Sequence, residues 1–200
     1  MGLVVLLGTL AKLLMRALAS YVCVAGVWVC CAGAWVPAEA TTLQQLSLGE
    51  LAQKATAIVR ARVTGSVEVL RGTDVYTVYQ LETIETVKVQ NGIKPADVAV
   101  PGGVAQGLRQ VVAGAPVLHA GREYVLFLWT SRSGLTQLMG MSQGLFAVER
   151  TTTGDLIATR AAAGEQMLDG AGHEIRDEAL SMPWAELKSK VMKTLTAGRQ

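Results

Sequence analysis

The chain has 200 residues, a formal net charge of +2 and charged side chains at 17% of its positions. This length is typical of a single domain that buries a hydrophobic core. Nucleic-acid-binding proteins usually carry a strong basic excess or a basic stripe, and the sequence has neither, so no nucleic-acid partner is expected.

Residues 1–40 have the pattern of a secretory signal peptide. Lys12 and Arg16 precede an uncharged apolar stretch over residues 17–36, and the segment PAEA ends at Ala40 as A-x-A, which suits signal peptidase. We therefore predict an exported protein, either periplasmic or extracellular. An uncleaved anchor helix is the alternative, since about 20 apolar residues can span a bilayer.

All three cysteines lie in this leader, at Cys23, Cys30 and Cys31. A chain cleaved after Ala40 contains no disulfide and no thiol nucleophile, so its stability must come from a hydrophobic core. A further hypothesis places the true start of translation at Met15, because the sequence from Met15 onward begins an ordinary signal peptide by itself.

A short helix is predicted at the start of the mature chain. Ser47 and Glu50 form a capping box, and Leu46 and Leu51 occupy the hydrophobic-staple positions around it. The helix is expected to end near Thr56.

Residues 57–160 have the pattern of successive β-strands. Val75–Val89 is rich in β-branched residues, and its apolar phase shifts between Leu81 and Ile84, which predicts a bulge or a bend. Tyr124–Trp129 is continuously apolar and is the expected central strand. Short strands separated by glycines, without helices between them, favour an antiparallel barrel or sandwich over parallel βαβ units.

An amphipathic helix is predicted from Pro183 onward. Its apolar face consists of Trp184, Leu187, Val191, Met192 and Leu195. We expect this face to pack on the β-domain, and docking onto a partner or a membrane is the alternative. The chain thus divides into a leader (1–40), a β-barrel domain (41–165) and a linker with the C-terminal helix (166–200).

The segment GMSQG ending at Gly144 matches G-x-S-x-G, the nucleophile elbow of serine hydrolases. Ser142 is followed by Asp155, Asp169 and His173, so that a triad in the order Ser, Asp, His can be assembled. This makes a serine hydrolase the alternative function.

The sequence that follows Ser142 argues against a serine hydrolase. An elbow requires a helix directly after the serine, whereas residues 145–150 have a strand pattern. We therefore interpret the segment as a glycine-flanked kink between strands, in which Gly144 allows close approach of another backbone.

Two other motifs fail to predict a metal or cofactor site. The segment from His173 to Asp177 starts like H-E-x-x-H but carries aspartate at its fifth position, and His119 is the only other histidine. The glycine-rich PGGVAQG over residues 101–107 lacks the G-K-[ST] ending of a phosphate-binding loop. We expect no metal, no cofactor and a mobile loop or bulge at 101–107.

Five segments carry a family resemblance: LGELAQKATAIVRARVTGS, YTVYQLETIETVKVQNG, VAVPGG, VVAGAPVLHAGREYVLFLW and GMSQGLFAVE. Together they resemble a family of uncharacterised exported bacterial domains, over roughly residues 46–150. These motifs are glycines, prolines and core strands, so the resemblance implies a shared fold. It also implies that Gly144 and Phe146 belong to a strand-turn-strand segment.

Some members of that family carry a matrixin-like metalloprotease domain. The strand order is more distantly similar to the netrin-like modules of tissue metalloprotease inhibitors, which are OB-type barrels. The resemblance implies an OB-like barrel and a partner such as a protease. Those inhibitors act through an N-terminal cysteine and disulfides, which the cleaved chain lacks, so their mechanism is not expected here.

The sequence therefore predicts a mainly β protein, an OB-like antiparallel β-barrel with a short N-terminal helix and a C-terminal amphipathic helix. Its expected function is a non-enzymatic binding or interaction module whose partner is an envelope or secreted protein such as a protease. A structural domain held at the membrane by an uncleaved leader is a third interpretation.

Candidate binding residues fall into two groups. The first belongs to the longest loop, which is predicted to be flexible: Gly102, Gly103, Gln106, Gly107 and Arg109. The second, on a sheet surface expected to be exposed, consists of Tyr76 and Tyr79.

Overall fold

The structure is a computed structural model that describes residues 42–90, 92–164 and 166–198. Every described residue belongs to one compact unit, Ala40–Gln200. The predicted leader and the hypothetical start at Met15 lie outside the described residues. No helix in the described ranges is long and apolar enough to cross a membrane.

The described part is mainly β, as predicted. Its strands are β1 Thr42–Gln44, β2 Ala57–Arg71, β3 Asp74–Val89, β4 Asp97–Pro101, β5 Gly103–Ala105, β6 Leu108–Gln110, β7 Glu123–Thr130, β8 Thr136–Leu138, β9 Leu145–Arg150, β10 Leu156–Arg160, β11 Gln166–Leu168, β12 Glu174–Ile175 and β13 Leu180–Pro183. Its α-helices are α1 Leu48–Lys54 and α2 Trp184–Ala197. The segment expected to be a linker thus contains three short strands.

Helix α1 begins as the sequence predicted. The Ser47 hydroxyl accepts a hydrogen bond from the Glu50 amide at 3.2 Å, and the Glu50 carboxylate accepts one from the Ser47 amide at 2.9 Å. Both donors would otherwise lack partners at a helix N-terminus. The helix ends at Lys54, because Ala55 is already extended.

The largest sheet has the strand order β13-β10-β9-β7-β2-β3-β4-β8, and β7 also pairs with β8. Its pairs are antiparallel except β4–β8, which is parallel and joins Ala99 to Gln137. The long hairpin β2–β3 contains register shifts. One of them leaves Ile84 without a cross-strand partner, between the pairs Arg60–Glu85 and Ala61–Thr83. The predicted bulge near Leu81–Ile84 is therefore confirmed.

The sheet carries a hydrophobic core on each face. On one face Val59, Val98 and Leu126 belong to a buried cluster of the β2–β3–β4–β7 region. On the other face Ile58 and Phe127 pack against the two helices, and we call this second cluster the helix-covered region. Neighbouring residues enter opposite cores because side chains alternate along a strand.

Helix α2 packs on the sheet, as expected. Trp184, Leu187 and Val191 are buried in the helix-covered region, and Leu195 packs against it. Met192 was assigned to the same apolar face but is 45% exposed. That assignment was wrong, because Met192 lies directly beside Val191 and points about 100° away from it around the helix.

Candidate functional site

The GMSQG segment forms a 3₁₀ turn, Met141–Gly144, and strand β9 follows it immediately. A Cβ atom on Gly144 would lie 2.5 Å from the Met139 carbonyl oxygen and 3.0 Å from that of Phe127. Glycine is therefore required here by close backbone packing, as the sequence predicted. No α-helix begins at the serine, so the segment lacks the local structure of a nucleophile elbow.

Gln143 is the residue of this turn that holds another segment. Its side chain is buried, accepts a hydrogen bond from the Leu46 amide at 2.7 Å and donates one to the Gln44 carbonyl at 3.0 Å. These bonds attach the N-terminal end of the described chain to the turn. The sequence alone does not reveal this role, because the two segments are far apart in the chain.

The four residues from which a Ser–Asp–His triad could be assembled do not form one. The Ser142 hydroxyl is buried and has no hydrogen-bond partner within the described ranges. His173 is exposed, and its ring lies 3.2 Å from the Asp169 carboxylate in the turn before β12. The Asp155 carboxylate accepts a hydrogen bond from Thr153. No hydrogen bond connects the serine to the histidine.

Asp169 shapes its own turn. Its carboxylate accepts hydrogen bonds from the amides of His173 and Ala171, both at 2.8 Å. The bond from the His173 amide is the main cause that lowers the pKa of the Asp169 carboxyl. Stabilising this tight turn is therefore a sufficient structural reason for an aspartate at position 169.

The segment His173–Asp177, which starts like a zinc-binding motif, ends in a carboxylate that binds other protein groups. Asp177 is buried and accepts a hydrogen bond from Arg160 at 2.7 Å and one from the Ala163 amide at 2.8 Å. A buried carboxylate needs such partners because isolated burial of its charge is costly. Within the described residues, no group of three or more His, Cys, Asp or Glu side chains is placed to hold a metal ion.

The structure brings most of the predicted binding residues together. Gly102, Gly103, Arg109 and Tyr79 line one cleft of about 340 Å³. Tyr79, expected on an exposed surface, is only 6% exposed. It forms part of the cleft wall and belongs to the buried cluster of the β2–β3–β4–β7 region. That expectation was wrong because residue 79 falls on the inward-facing side of β3.

The remaining predicted residues lie outside this cleft. Gln106 and Gly107 have positive φ values of 51° and 79° and form the two-residue turn between β5 and β6. The segment expected to be a flexible loop is therefore a small hairpin, since two positive φ angles match a tight hairpin turn. Tyr76 is half-buried, does not line the cleft and pairs with Pro101 across β3 and β4.

A second cleft of about 270 Å³ adjoins the first. The two share Val100, Pro101 and Pro116, and the second adds Trp129 from β7 and Met139–Met141. We call them together the paired clefts. Met141 has a positive φ of 58°, an uncommon conformation for a residue other than glycine.

The rim of the paired clefts is apolar and open. Val104, Val111 and Val117 are 50%, 79% and 68% exposed, and Trp129 is 43% exposed. Arg109 is the only charged residue that lines either cleft, and it makes no ion pair within the described part of the chain. The sequence does indicate this site, because the apolar residues of VVAGAPV lie in a glycine- and proline-rich loop, where exposure is expected.

No family model, curated protein or solved structure matches the chain. The resemblance to exported bacterial domains and to netrin-like modules therefore stays a prediction. The function has to be argued from the geometry of the paired clefts.

Proposed function

We propose that this protein is a non-enzymatic binding module, exported to the periplasm or the extracellular space, that holds an apolar segment of a partner in the paired clefts. The observation that carries the proposal is the concentration of exposed Val104, Val111, Val117 and Trp129 around two adjoining clefts. Exposed apolar patches of this kind are typical of interaction sites, because their burial removes apolar surface from water.

The proposed scaffold is an OB-like barrel. Its support is the set of pairings that runs β2–β3–β4–β8–β7 and returns from β7 to β2. The antiparallel meander β2–β3–β4, followed by a parallel β4–β8 pair, agrees with a five-stranded OB arrangement. Such a scaffold holds loops and hairpins in fixed positions, which suits a binding module.

The chemistry of the paired clefts favours a protein segment with apolar side chains. Apolar residues form most of the walls, among them valines, prolines and Trp129, and Arg109 supplies one positive charge at the edge. An apolar segment with one carboxylate near its end would match both features. An envelope or secreted protein, such as a protease, is the proposed class of partner, and the export pattern of residues 1–40 supports that location.

Affinity capture with matched variants tests the proposal. The protein, expressed from the full chain and purified as its host processes it, is immobilised and exposed to envelope extract and culture fluid of the producing organism. Val111→Asp and Val117→Asp are compared with Ile93→Asp, whose residue is 77% exposed outside the paired clefts and so matches Val111 closely. Bound proteins are quantified by mass spectrometry.

The expected result is one dominant partner that both cleft variants lose by about tenfold and that Ile93→Asp retains. Arg109→Ala should weaken capture, whereas Gln106→Ala, at the hairpin turn, should leave it unchanged. A partner retained by all variants would contradict the assignment to the paired clefts. Enrichment of no protein over empty resin would contradict the binding-module proposal itself.

A further inference from the structure

Strand β2 pairs with β3 along one edge and with β7 along the other, and it extends beyond the end of β7. Its pairing with β7 covers only Ala57–Arg62, and the amide and carbonyl of Val63 then bond to Arg122 and Gly121. From Ser66 to Arg71 the strand pairs with β3 alone. In the described part of the chain, this stretch therefore has one edge without a neighbouring strand.

The register shows which backbone groups point out from that edge. The pair Arg71–Asp74 flanks the two-residue turn of the hairpin. Val75 bonds away from β2, because its amide donates to the Gln110 side chain at 2.7 Å and its carbonyl accepts from the Gly102 amide at 2.8 Å. Its cross-strand neighbour Leu70 is thus a non-hydrogen-bonded position of the antiparallel pair.

Backbone groups alternate in direction along a strand, so Leu70 determines which way those of the other residues of β2 point. With a period of two residues, the amides and carbonyls of Ser66, Glu68 and Leu70 point to the open edge. Those of Val67 and Val69 point to β3. The edge is accessible, since Ser66, Val67 and Glu68 are exposed.

We infer that the open edge of β2, from Ser66 to Arg71, accepts an extended segment of another protein as an additional antiparallel strand. Unpaired edge strands are templates for such addition, and backbone hydrogen bonds supply most of the affinity. No residue of this edge lines either of the paired clefts, although Glu68 lies near Gly103 at the margin of one of them. The inference does not depend on the proposed use of the clefts.

The side chains define the chemistry of the incoming strand. Glu68 makes no ion pair with any described residue, and it lies on the face of β2 that meets Gly103. On the opposite face Val67 and Val69 stand beside Val78 and Tyr76 of β3. A segment with the pattern apolar-basic-apolar would place its basic residue opposite Glu68 and extend the apolar face, and both cross-strand pairs are stabilising.

A second copy of this chain is the less suitable occupant. In an antiparallel self-pairing centred on this stretch, outward-pointing residues pair only with outward-pointing residues. Glu68 would then lie opposite or diagonal to the Glu68 of the other copy, and like charges at these positions are destabilising. Charge therefore favours a different chain with a lysine or arginine at this position.

The test uses the blocked peptide Thr-Val-Lys-Val-Thr and the protein prepared from its full chain. Amide hydrogen exchange measured by NMR should show fast exchange at Ser66, Glu68 and Leu70 in the free protein and slow exchange at Val67 and Val69. Saturating peptide should slow exchange at the first three positions. Already slow exchange there in the free, dilute protein would overturn the inference.

A charge exchange sharpens the test. Glu68→Lys should weaken binding of the lysine peptide by about fivefold, and the peptide Thr-Val-Glu-Val-Thr should recover the lost affinity, because opposite charges directly across two strands attract and like charges repel. Val111→Asp, in the paired clefts, should leave peptide binding unchanged. Equal affinity of both peptides for both proteins would overturn the inference. So would protection that increases with protein concentration alone, since that result indicates self-pairing.

Discussion

The helix-covered region and the paired clefts contain similar apolar residues but are covered differently. In the first, Phe127 and Phe146 are fully buried beneath the helices, with ring centroids 5.8 Å apart. In the second, Val111 and Val117 are mostly exposed at the rim of a cleft. Residue type alone therefore does not separate the stabilising surface from the candidate binding surface; the presence of a covering helix does.

Polar contacts explain why helix α2 lies where it does. Glu85 of β3 accepts a hydrogen bond from Lys188 at 2.6 Å and one from the Trp184 indole at 2.9 Å. Apolar burial supplies most of the free energy of packing, whereas these directed bonds fix the position of the helix. The contrast teaches that one sheet can use one region for stability and present another to a partner.

The largest expected effect is in the helix-covered region. Phe127→Ala should lower the free energy of unfolding by about 4 kcal/mol, because it leaves a cavity beside Phe146. Val117→Ala, at the exposed rim of the clefts, should change it by less than about 0.5 kcal/mol. Urea unfolding followed by circular dichroism measures both. Similar losses for the two variants would refute the proposed division between covered and open apolar surface.

A smaller effect is expected at the turn that links the two regions. Gly144→Ala should destabilise the protein by about 2 kcal/mol, because the new Cβ would press against the carbonyl oxygens of Met139 and Phe127. Gly170→Ala is the control, since a Cβ there would meet no atom within 4 Å. Thermal unfolding of the two variants measures the change. An unchanged midpoint for Gly144→Ala would mean that the turn can shift to accommodate the new Cβ.

The features predicted correctly are those set by residues near one another in the chain. The Ser47–Glu50 capping box is a three-residue spacing, and the bulge at Ile84 follows from a phase shift within one strand. The strand after GMSQG was likewise predicted from the pattern of residues 145–150 themselves. Such local patterns need no knowledge of the rest of the fold.

The candidate site was predicted only in part because it is made of distant segments. Gly102, Gly103 and Arg109 were found through the composition of their loop, but Trp129 of β7 was assigned only to a central strand. Tyr79 was placed on the wrong face, because Tyr76 and Tyr79 are three residues apart with no register shift between them and therefore point to opposite faces of β3. The open edge of β2 depends on where β7 stops, which no local pattern reveals.

The smallest expected effect concerns the attachment of helix α2. Hydrogen bonding by Lys188 is the main cause that lowers the pKa of the Glu85 carboxyl below its ordinary value of 4.5; burial opposes this, and the Trp184 indole adds to it. A carboxyl with a lower pKa in the folded state contributes stability that is present above pH 4.5 and is lost as the pH falls through the folded value.

Glu85→Gln should therefore cost about 1 kcal/mol at pH 7, and the difference from the parent protein should be smaller at pH 3, because the carboxyl is then largely protonated in the unfolded chain. Glu82→Gln is the control on the same strand, because the Glu82 side chain is 60% exposed and its contact with Arg62 is long, at 3.5 Å. Urea unfolding at both pH values measures the change. A loss that is equal at pH 7 and pH 3 would show that Glu85 acts through packing, and helix α2 would then be held by its apolar face alone.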